Sequence, residues 1–203
     1  MKRTLGTLAL MLGMTGLLRA APMTATTTRE IALGAVESLV TINYALCDDY
    51  FHANEWEKAV AVLDRIIGLR PTDINAYANA AWLLWSSDQV DRAMVYYKKM
   101  IENNPTSADA YYTIGHYYFF TRRDYKEALP YLEKAVELGG PILQRHLHAH
   151  CLGKLGRTRE ALDAWQKILA DNPDDAVSKR EIEKLNAGQP AATEEPAADS
   201  SDK

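Results

Sequence analysis

The chain has 203 residues, of which 47% are hydrophobic and 25% are charged, and its formal net charge is −4. These values are ordinary for a globular protein, and a chain of this length can bury a core without disulfides or metals. No run of five basic residues occurs, so the electrostatic footprint of sequence-independent nucleic-acid binding is missing and we expect no nucleic-acid partner. The two cysteines, Cys47 and Cys151, lie too far apart for a CxxC zinc or redox motif.

The amino-terminal residues have the layout of a secretory signal. Lys2 and Arg3 form a basic start, residues 5–18 carry no charge, and Ala20 and Ala21 supply small residues near a cleavage point. At 1.5 Å per residue the apolar stretch spans about 21 Å, which is short of the ~30 Å hydrocarbon core, so an uncleaved anchor is the less favoured alternative. We expect residues 1–21 to be removed and the protein to be periplasmic or secreted, with no stable membrane span after cleavage.

The body of the chain is a repeat with a period near 34 residues. Pro71 and Pro105 are 34 residues apart. Four similar sequence segments each contain an alanine, and these alanines are 34, 35 and 33 residues apart: Ala59, Ala93, Ala128 and Ala161. A fixed period of this length is typical of solenoid architectures. We expect the extra residue of the third copy to lie in the loop at residues 121–124.

Each copy is predicted to form two helices joined by a turn. In the third copy an apolar stripe recurs at positions i, i+3, i+4 and i+7, which is the period of a helix face. The stripe consists of Tyr111, Ile114, Gly115 and Tyr118. Asp124 stands where it can cap the second helix, and Ala128 is short enough to let the two helices approach closely.

These residues resemble the tetratricopeptide repeat family, which implies an all-α, right-handed superhelical solenoid. The resemblance covers four helix-turn-helix repeats, at residues 40–73, 74–107, 108–141 and 142–175. Residues 22–39 are expected to extend the first helix, and residues 176–186 to form a carboxyl-terminal capping helix. Residues 187–203 contain no large apolar side chain and are expected to form a disordered acidic tail.

A second stripe on the first helix of each repeat lies roughly 130° from the packing stripe. The resemblance places this face in the concave groove of the solenoid, where aromatic side chains dominate binding energetics. The predicted groove residues are Tyr44, Phe51, Trp82, Trp85, Tyr112, His116, Phe119, Phe120, His146, His150 and Lys154. The alternative is that several of these rings pack between adjacent first helices, with Phe119 and Trp85 the strongest candidates for the core.

One subclass of the family binds the carboxyl-terminal tails of heat-shock chaperones through a clamp of Lys, Asn and Arg. Only Asn79 fits that pattern in this sequence. The other clamp places hold Tyr44, Asp48, Asp109 and Thr113. Since an aspartate repels a carboxylate, the sequence disfavours that ligand.

Three histidines raise the question of a metal site. His146 and His150 are spaced i, i+4 on one helix face, and His116 comes from the same stripe one repeat earlier. A three-histidine site is geometrically conceivable, but no clear acidic or cysteine ligand completes it. We therefore expect no metal and no cofactor, and keep these residues as candidates for the less favoured alternative.

Catalytic signatures are missing from the sequence, which contains no phosphate-binding glycine loop, no GxSxG and no HExxH. The sequence therefore predicts a non-enzymatic scaffold that binds a segment of a partner polypeptide in an aromatic groove in the cell envelope. One alternative is a repeat protein that binds a metal or small ligand through its histidines. A second alternative is a regulatory subunit of an envelope enzyme.

Overall fold

A computed structural model describes residues 25–188, which form nine α-helices and one π-helical turn with no strand among them. The helices are α1 Ala25–His52, α2 Trp56–Leu69, α3 Ile74–Ser86, α4 Val90–Asn103, α5 Ala108–His116, α6 Tyr125–Glu137, α7 Ile142–Lys154, α8 Thr158–Asp171 and α9 Ala176–Asn186; the π-helical turn Tyr117–Arg122 follows α5. The predicted signal at residues 1–21 and all but the first two residues of the predicted tail lie outside the described residues.

The chain divides into two compact units between Ser38 and Leu39. In the first unit the described residues belong to α1, and Ile31 and Leu33 are exposed there. By length and composition alone the segment Thr26–His52 is apolar enough to cross a membrane, a test that core helices and signal sequences also pass.

The helices of the second unit pack mainly on their neighbours in the chain. Within hairpins α3 packs on α4, α5 on α6, and α7 on α8, while α2 packs on α3, α6 on α7, and α8 on α9 between them. Contact restricted to adjacent repeats is the mark of a solenoid. The all-α solenoid predicted from the sequence is confirmed.

Short side chains bring the paired helices together. The four repeat alanines are fully buried: Ala59, Ala93, Ala128 and Ala161. At Gly115 a Cβ atom would lie 2.6 Å from Cδ2 of Leu132, so only glycine lets α5 approach α6 this closely. The small residues that recur in the sequence therefore mark the closest helix contacts.

The extra residue of the third repeat lies inside its first helix. The expectation that it lengthens the loop is wrong: only Arg123 and Asp124 separate the π-helical turn from α6, whereas three residues join α3 to α4 and α7 to α8. The 9 residues of α5 and the 6 of the π-helical turn together make 15, against 13 in α3. Arg123 has a positive φ of 51°, and the equivalent residue of the preceding repeat, Asp88, also has a positive φ. The two hairpin turns therefore share this feature, and the π-helical turn before Arg123 accommodates the extra residue.

Aspartate caps begin three of the helices. The side chain of Asp73 accepts a hydrogen bond from the Ala76 N–H at 3.0 Å at the start of α3. Asp124 does the same for α6, as the sequence predicts, and Asp175 for α9. Each cap satisfies a backbone donor that has no partner inside its helix. Asp73 and Asp175 also take part in contacts between repeats.

Candidate functional site

Four aromatic residues form a continuous row across the first two repeats, here called the aromatic row: Phe51, Trp56, Trp82 and Trp85. The ring centroid of Trp82 lies 5.7 Å from that of Phe51, 6.5 Å from Trp56 and 6.4 Å from Trp85. Trp82 is 43% exposed. Three members were predicted from the sequence. Trp56 was missed because it starts the second helix of its hairpin, and the prediction considered first helices alone.

The π-helical turn changes which phenylalanine of the third repeat faces outward. Phe119 is 2% exposed and packs with Tyr125 at a centroid separation of 5.0 Å, so it belongs to the core and not to the groove surface. Counted back from the positive-φ residue of the turn, Phe119 corresponds to the buried Leu84, and Phe120 corresponds to Trp85. The sequence left two alternatives open for Phe119, and the structure has the one in which it packs in the core. Its place on the groove face was counted from the start of the helix, before the insertion.

The histidines of the fourth repeat are buried as well. His146 and His150 are 7% and 4% exposed, and their ring centroids lie 5.3 and 4.8 Å from that of Trp165. They fill the space beside a large ring contributed by α8, which corrects their assignment to an exposed surface: they reach the groove only as buried walls of a small cavity. Lys154 is exposed at the end of α7.

His116 lies in the third repeat among aromatic rings, 4.5 Å from Phe120 and 5.7 Å from Tyr112 between centroids. Its burial lowers the pKa of the imidazole. Within residues 25–188, no three or more His, Cys, Asp or Glu side chains are grouped to hold a metal ion. The arrangement of the three candidate histidines gives no support to the metal alternative.

At each end of the array, a side chain of one first helix forms a hydrogen bond with the aspartate that caps the next first helix. The Tyr44 hydroxyl of α1 donates to Oδ1 of Asp73 at the start of α3, at 2.6 Å. Nε2 of His146 in α7 lies 3.0 Å from Oδ2 of Asp175 at the start of α9. The two pairs stand three 34-residue periods apart, and we call them the outer junctions.

Electrostatics at the outer junctions follow from burial and hydrogen bonding. Burial and the bond to Asp73 both raise the pKa of the Tyr44 phenol, which stays a neutral donor. Burial alone would raise the pKa of Asp175, but hydrogen bonds from Ser178 and the nearby His146 outweigh it and hold the pKa below its ordinary value. The Asp175 carboxylate therefore accepts its hydrogen bonds in the charged form.

An equivalent place between α5 and α7, here called the inner junction, has a different residue at the position of the helix cap. The repeat positions of the donor and the cap are occupied by Tyr112 and Pro141. Proline offers no side-chain acceptor. Among the described residues the Tyr112 hydroxyl has no hydrogen-bond partner, and burial alone raises the pKa of its phenol. The inner junction is consequently not closed by the link found at the ends of the array.

Two adjoining cavities lie at the inner junction and form what we call the inner groove. The larger, about 470 Å³, is lined from α3, α5 and α7, and the smaller, about 130 Å³, lies between α5 and α7. Tyr112 and Leu143 line both, and Leu143 is 68% exposed. Other lining residues include Asn75, Asp109, Thr113 and Gln144 in the larger cavity and Phe119, Phe120, Leu147, His146 and His150 in the smaller.

Asp109 is held in place at the floor of the larger cavity. Its Oδ1 accepts a hydrogen bond from Nε2 of Gln144 at 2.5 Å. Gln144 is 4% exposed and packs so closely on Gly140 that no side chain fits there. A buried amide thus fixes the position of an exposed carboxylate.

A third cavity, about 390 Å³, lies away from the groove between α6, α7 and α8. Its rim is acidic, but the carboxylates at Glu160 and Glu137 are paired with Arg157 and Lys134 at 2.5 and 2.8 Å. The cavity is also lined by Asp163 and by the bases Arg145 and Lys167, so it presents charges of both signs, and it has no Phe, Tyr or Trp in its lining. The inner groove and the aromatic row are therefore the better candidates for a binding surface.

Comparison with known proteins identifies the fold. The family described as "Anaphase-promoting complex, cyclosome, subunit 3" matches residues 86–168. Among solved structures, YrrB, described as a TPR protein with an unusual peptide-binding site, is 24% identical with a TM-score of 0.52, over 72% of this chain and 75% of that one. PilW, described as a type IV pilus biogenesis factor, is 20% identical with a TM-score of 0.53, over 74% and 70%. Yeast Tom70 is 16% identical with a TM-score of 0.61, over 83% of this chain and 37% of that one. No curated protein matches the sequence.

Proposed function

We propose that this chain is a tetratricopeptide repeat protein, as its sequence predicts, and that it binds a segment of another polypeptide along the inner groove and the aromatic row. The fold is that of non-enzymatic protein-interaction scaffolds. The single observation that carries the proposal is the open inner junction, where two cavities adjoin beneath the exposed Leu143.

The energetics of the exposed rings support a binding role. An aromatic side chain buries ~150–250 Å² when a partner covers it, and such anchors carry most of the binding energy at interfaces. Trp82 stands 43% exposed in the aromatic row, and its neighbours hold its ring in place on three sides. A ring that is already ordered loses little conformational entropy on binding.

Replacement of Trp82 tests the role of the aromatic row. The Trp82→Ala protein is compared with Val95→Ala, which removes an equally exposed apolar side chain from α4, outside the row. Partners captured by the immobilised protein from an envelope extract are quantified by mass spectrometry, and circular dichroism checks that each variant is folded. We expect Trp82→Ala to lower capture at least about tenfold and Val95→Ala to leave it unchanged. Full retention of the partner by folded Trp82→Ala would overturn the proposal for the aromatic row.

We also propose that binding takes place in the cell envelope after export. The basic, apolar and small-residue layout of residues 1–21 supports this location. Cell fractionation followed by sequencing of the mature amino terminus is the test. A start near Ala21 or Pro22 in the envelope fraction is expected, and a cytoplasmic protein that retains Met1 would contradict the proposal.

A further inference from the structure

We infer that the inner groove selects a linear segment in which a lysine or arginine stands two positions from a large apolar residue. The basic group would pair with Asp109, and the apolar side chain would enter the smaller cavity between α5 and α7. This inference rests on the proposed function and names the chemistry of its partner.

The first argument comes from three of the four repeat-equivalent junctions. The fourth, between α3 and α5, holds Ala78, which has no side-chain donor, opposite Ser107. At both ends of the array, the side chain at this repeat position meets an acceptor on the cap of the next first helix, in the pairs Tyr44–Asp73 and His146–Asp175. Tyr112 presents the same kind of donor, but Pro141 supplies no side-chain acceptor. A half-buried hydroxyl without a partner gains a hydrogen bond when a peptide carbonyl is placed beside it. The partner's backbone therefore takes the place that an aspartate fills at the ends.

The second argument is charge. Of the residues that line the two cavities, Asp109 is the one Asp, Glu, Lys or Arg, as far as residues 25–188 show. Gln144 bonds its Oδ1, while Oδ2 has no partner among the described residues. A fixed carboxylate with no cation of its own attracts a positively charged group and repels a negatively charged one.

The third argument is the continuity of the two cavities. Because Tyr112 and Leu143 line both, one extended segment reaches the carboxylate and the apolar cavity together. Side chains on one face of an extended chain recur every second residue, about 6.6 Å apart, so the two recognised side chains belong to positions i and i+2. A segment that ends in a carboxylate over Asp109 is disfavoured by the same geometry.

The experiment uses a displayed library of random 12-residue peptides selected on the purified protein. Enriched peptides are synthesised with a fluorescent label, and their affinities are measured by fluorescence anisotropy for the wild type and for variants. We expect Lys or Arg to be enriched two positions from Phe, Leu, Met or Trp. The affinity should fall about threefold in Asp109→Asn and about tenfold in Asp109→Lys, because the second change adds repulsion to the loss of the pair.

Matched variants separate the groove from general effects of charge. Asp91→Lys makes the same charge change at an exposed acid on α4, and it should leave the affinity unchanged. Tyr112→Phe should weaken binding about threefold, since it removes one hydrogen bond. Circular dichroism melting confirms that each variant is folded.

The outcomes distinguish this inference from the proposed function. Enriched peptides that show no basic preference, or an affinity that folded Asp109→Lys leaves unchanged, overturn the inference while peptide binding stands. Enrichment of acidic peptides or of free carboxyl termini overturns it in the same way. If no peptide is enriched, or if Trp82→Ala, Leu143→Ala and Asp109→Lys all leave binding intact, the proposed groove itself is contradicted.

Discussion

The outer junctions and the inner junction occupy the same place in the repeat but differ in two side chains. At the ends, Tyr44 and His146 each reach an aspartate that also caps the next first helix. In the middle, Tyr112 faces a repeat position held by Pro141, and cavities of about 470 and 130 Å³ adjoin there. These junctions have the same backbone arrangement, and they differ in whether the cap position supplies a side-chain acceptor. Where it does not, the junction is open to a partner.

The difference separates two roles that repeat proteins must combine. An array needs linked ends, because a terminal repeat lacks a neighbour on one side. It also needs polar groups that remain available to a ligand. Here the polar links lie at the ends, and the available groups, Tyr112 and Asp109, lie between them.

The largest expected effect comes from disturbing the inner junction at Gly140. A Cβ atom at this position would collide with the amide of Gln144 and lie 2.9 Å from the Ala135 carbonyl oxygen. Gly140→Ala should lower the free energy of unfolding by about 3 kcal/mol, because the added Cβ meets the backbone carbonyl of Ala135, which cannot move aside as a flexible side chain can. Urea unfolding measures the change.

The matched control is Gly68→Ala in α2, where no other atom lies within 4 Å of the added group. There alanine should raise the free energy of unfolding by about 0.5–1 kcal/mol, since it is the better helix former. Equal effects of the two substitutions would show that the close packing beneath the inner junction contributes nothing.

The second effect is a pH dependence from the fourth repeat. His148 occupies the position of the buried Ala80 and Ile114, and burial, aided by the charge of Arg157, lowers its pKa to about 4. Between pH 4 and the ordinary histidine value near 6.5, the unfolded chain binds a proton that the folded chain does not. Stability therefore falls as the pH drops through this window, by about 2 kcal/mol at pH 5.

Replacement of His148 by leucine tests this assignment. His148→Leu should flatten the dependence of the unfolding free energy on pH between 4 and 6.5, although His116 contributes a slope of the same sign. His52→Gln changes an exposed histidine and should leave the slope as it was. An unaltered slope in His148→Leu would exclude the buried imidazole as the cause.

The smallest expected effect is the most direct contrast between the junctions. Tyr44→Phe removes a hydrogen bond to a buried carboxylate and should lower the free energy of unfolding by about 1 kcal/mol. Tyr112→Phe makes the same chemical change where the hydroxyl has no partner among the described residues, so stability should stay within about 0.3 kcal/mol. Equal losses in thermal unfolding would erase the distinction between closed and open junctions.

Much of the fold could be predicted because its signals are local. The helix stripes and the Asp124 cap each depend on residues a few positions apart, and the alanines recur at a period that is visible in the sequence itself. The structure has all three as expected. The burial of Phe119 was one of two alternatives that the sequence left open. Its register depends on whether the inserted residue lengthens a loop or a helix, and the retained turn geometry at Arg123 decides that.

The candidate site was predicted only in part for a related reason. The ring stripe on the first helices led to Phe51, Trp82 and Trp85, which the structure does bring together. The links at the outer junctions join residues 29 positions apart, so no local pattern reveals them. The burial of His146 depends likewise on Trp165 in another helix.

Site-specific photocrosslinking tests the central claim most directly. A photoreactive amino acid replaces Leu143, which is exposed over both cavities, or Val95, which is exposed on α4. Irradiation in the presence of a labelled enriched peptide should give a crosslink from position 143 and none from position 95. A crosslink from position 95 alone would place the peptide outside the inner groove and contradict the account.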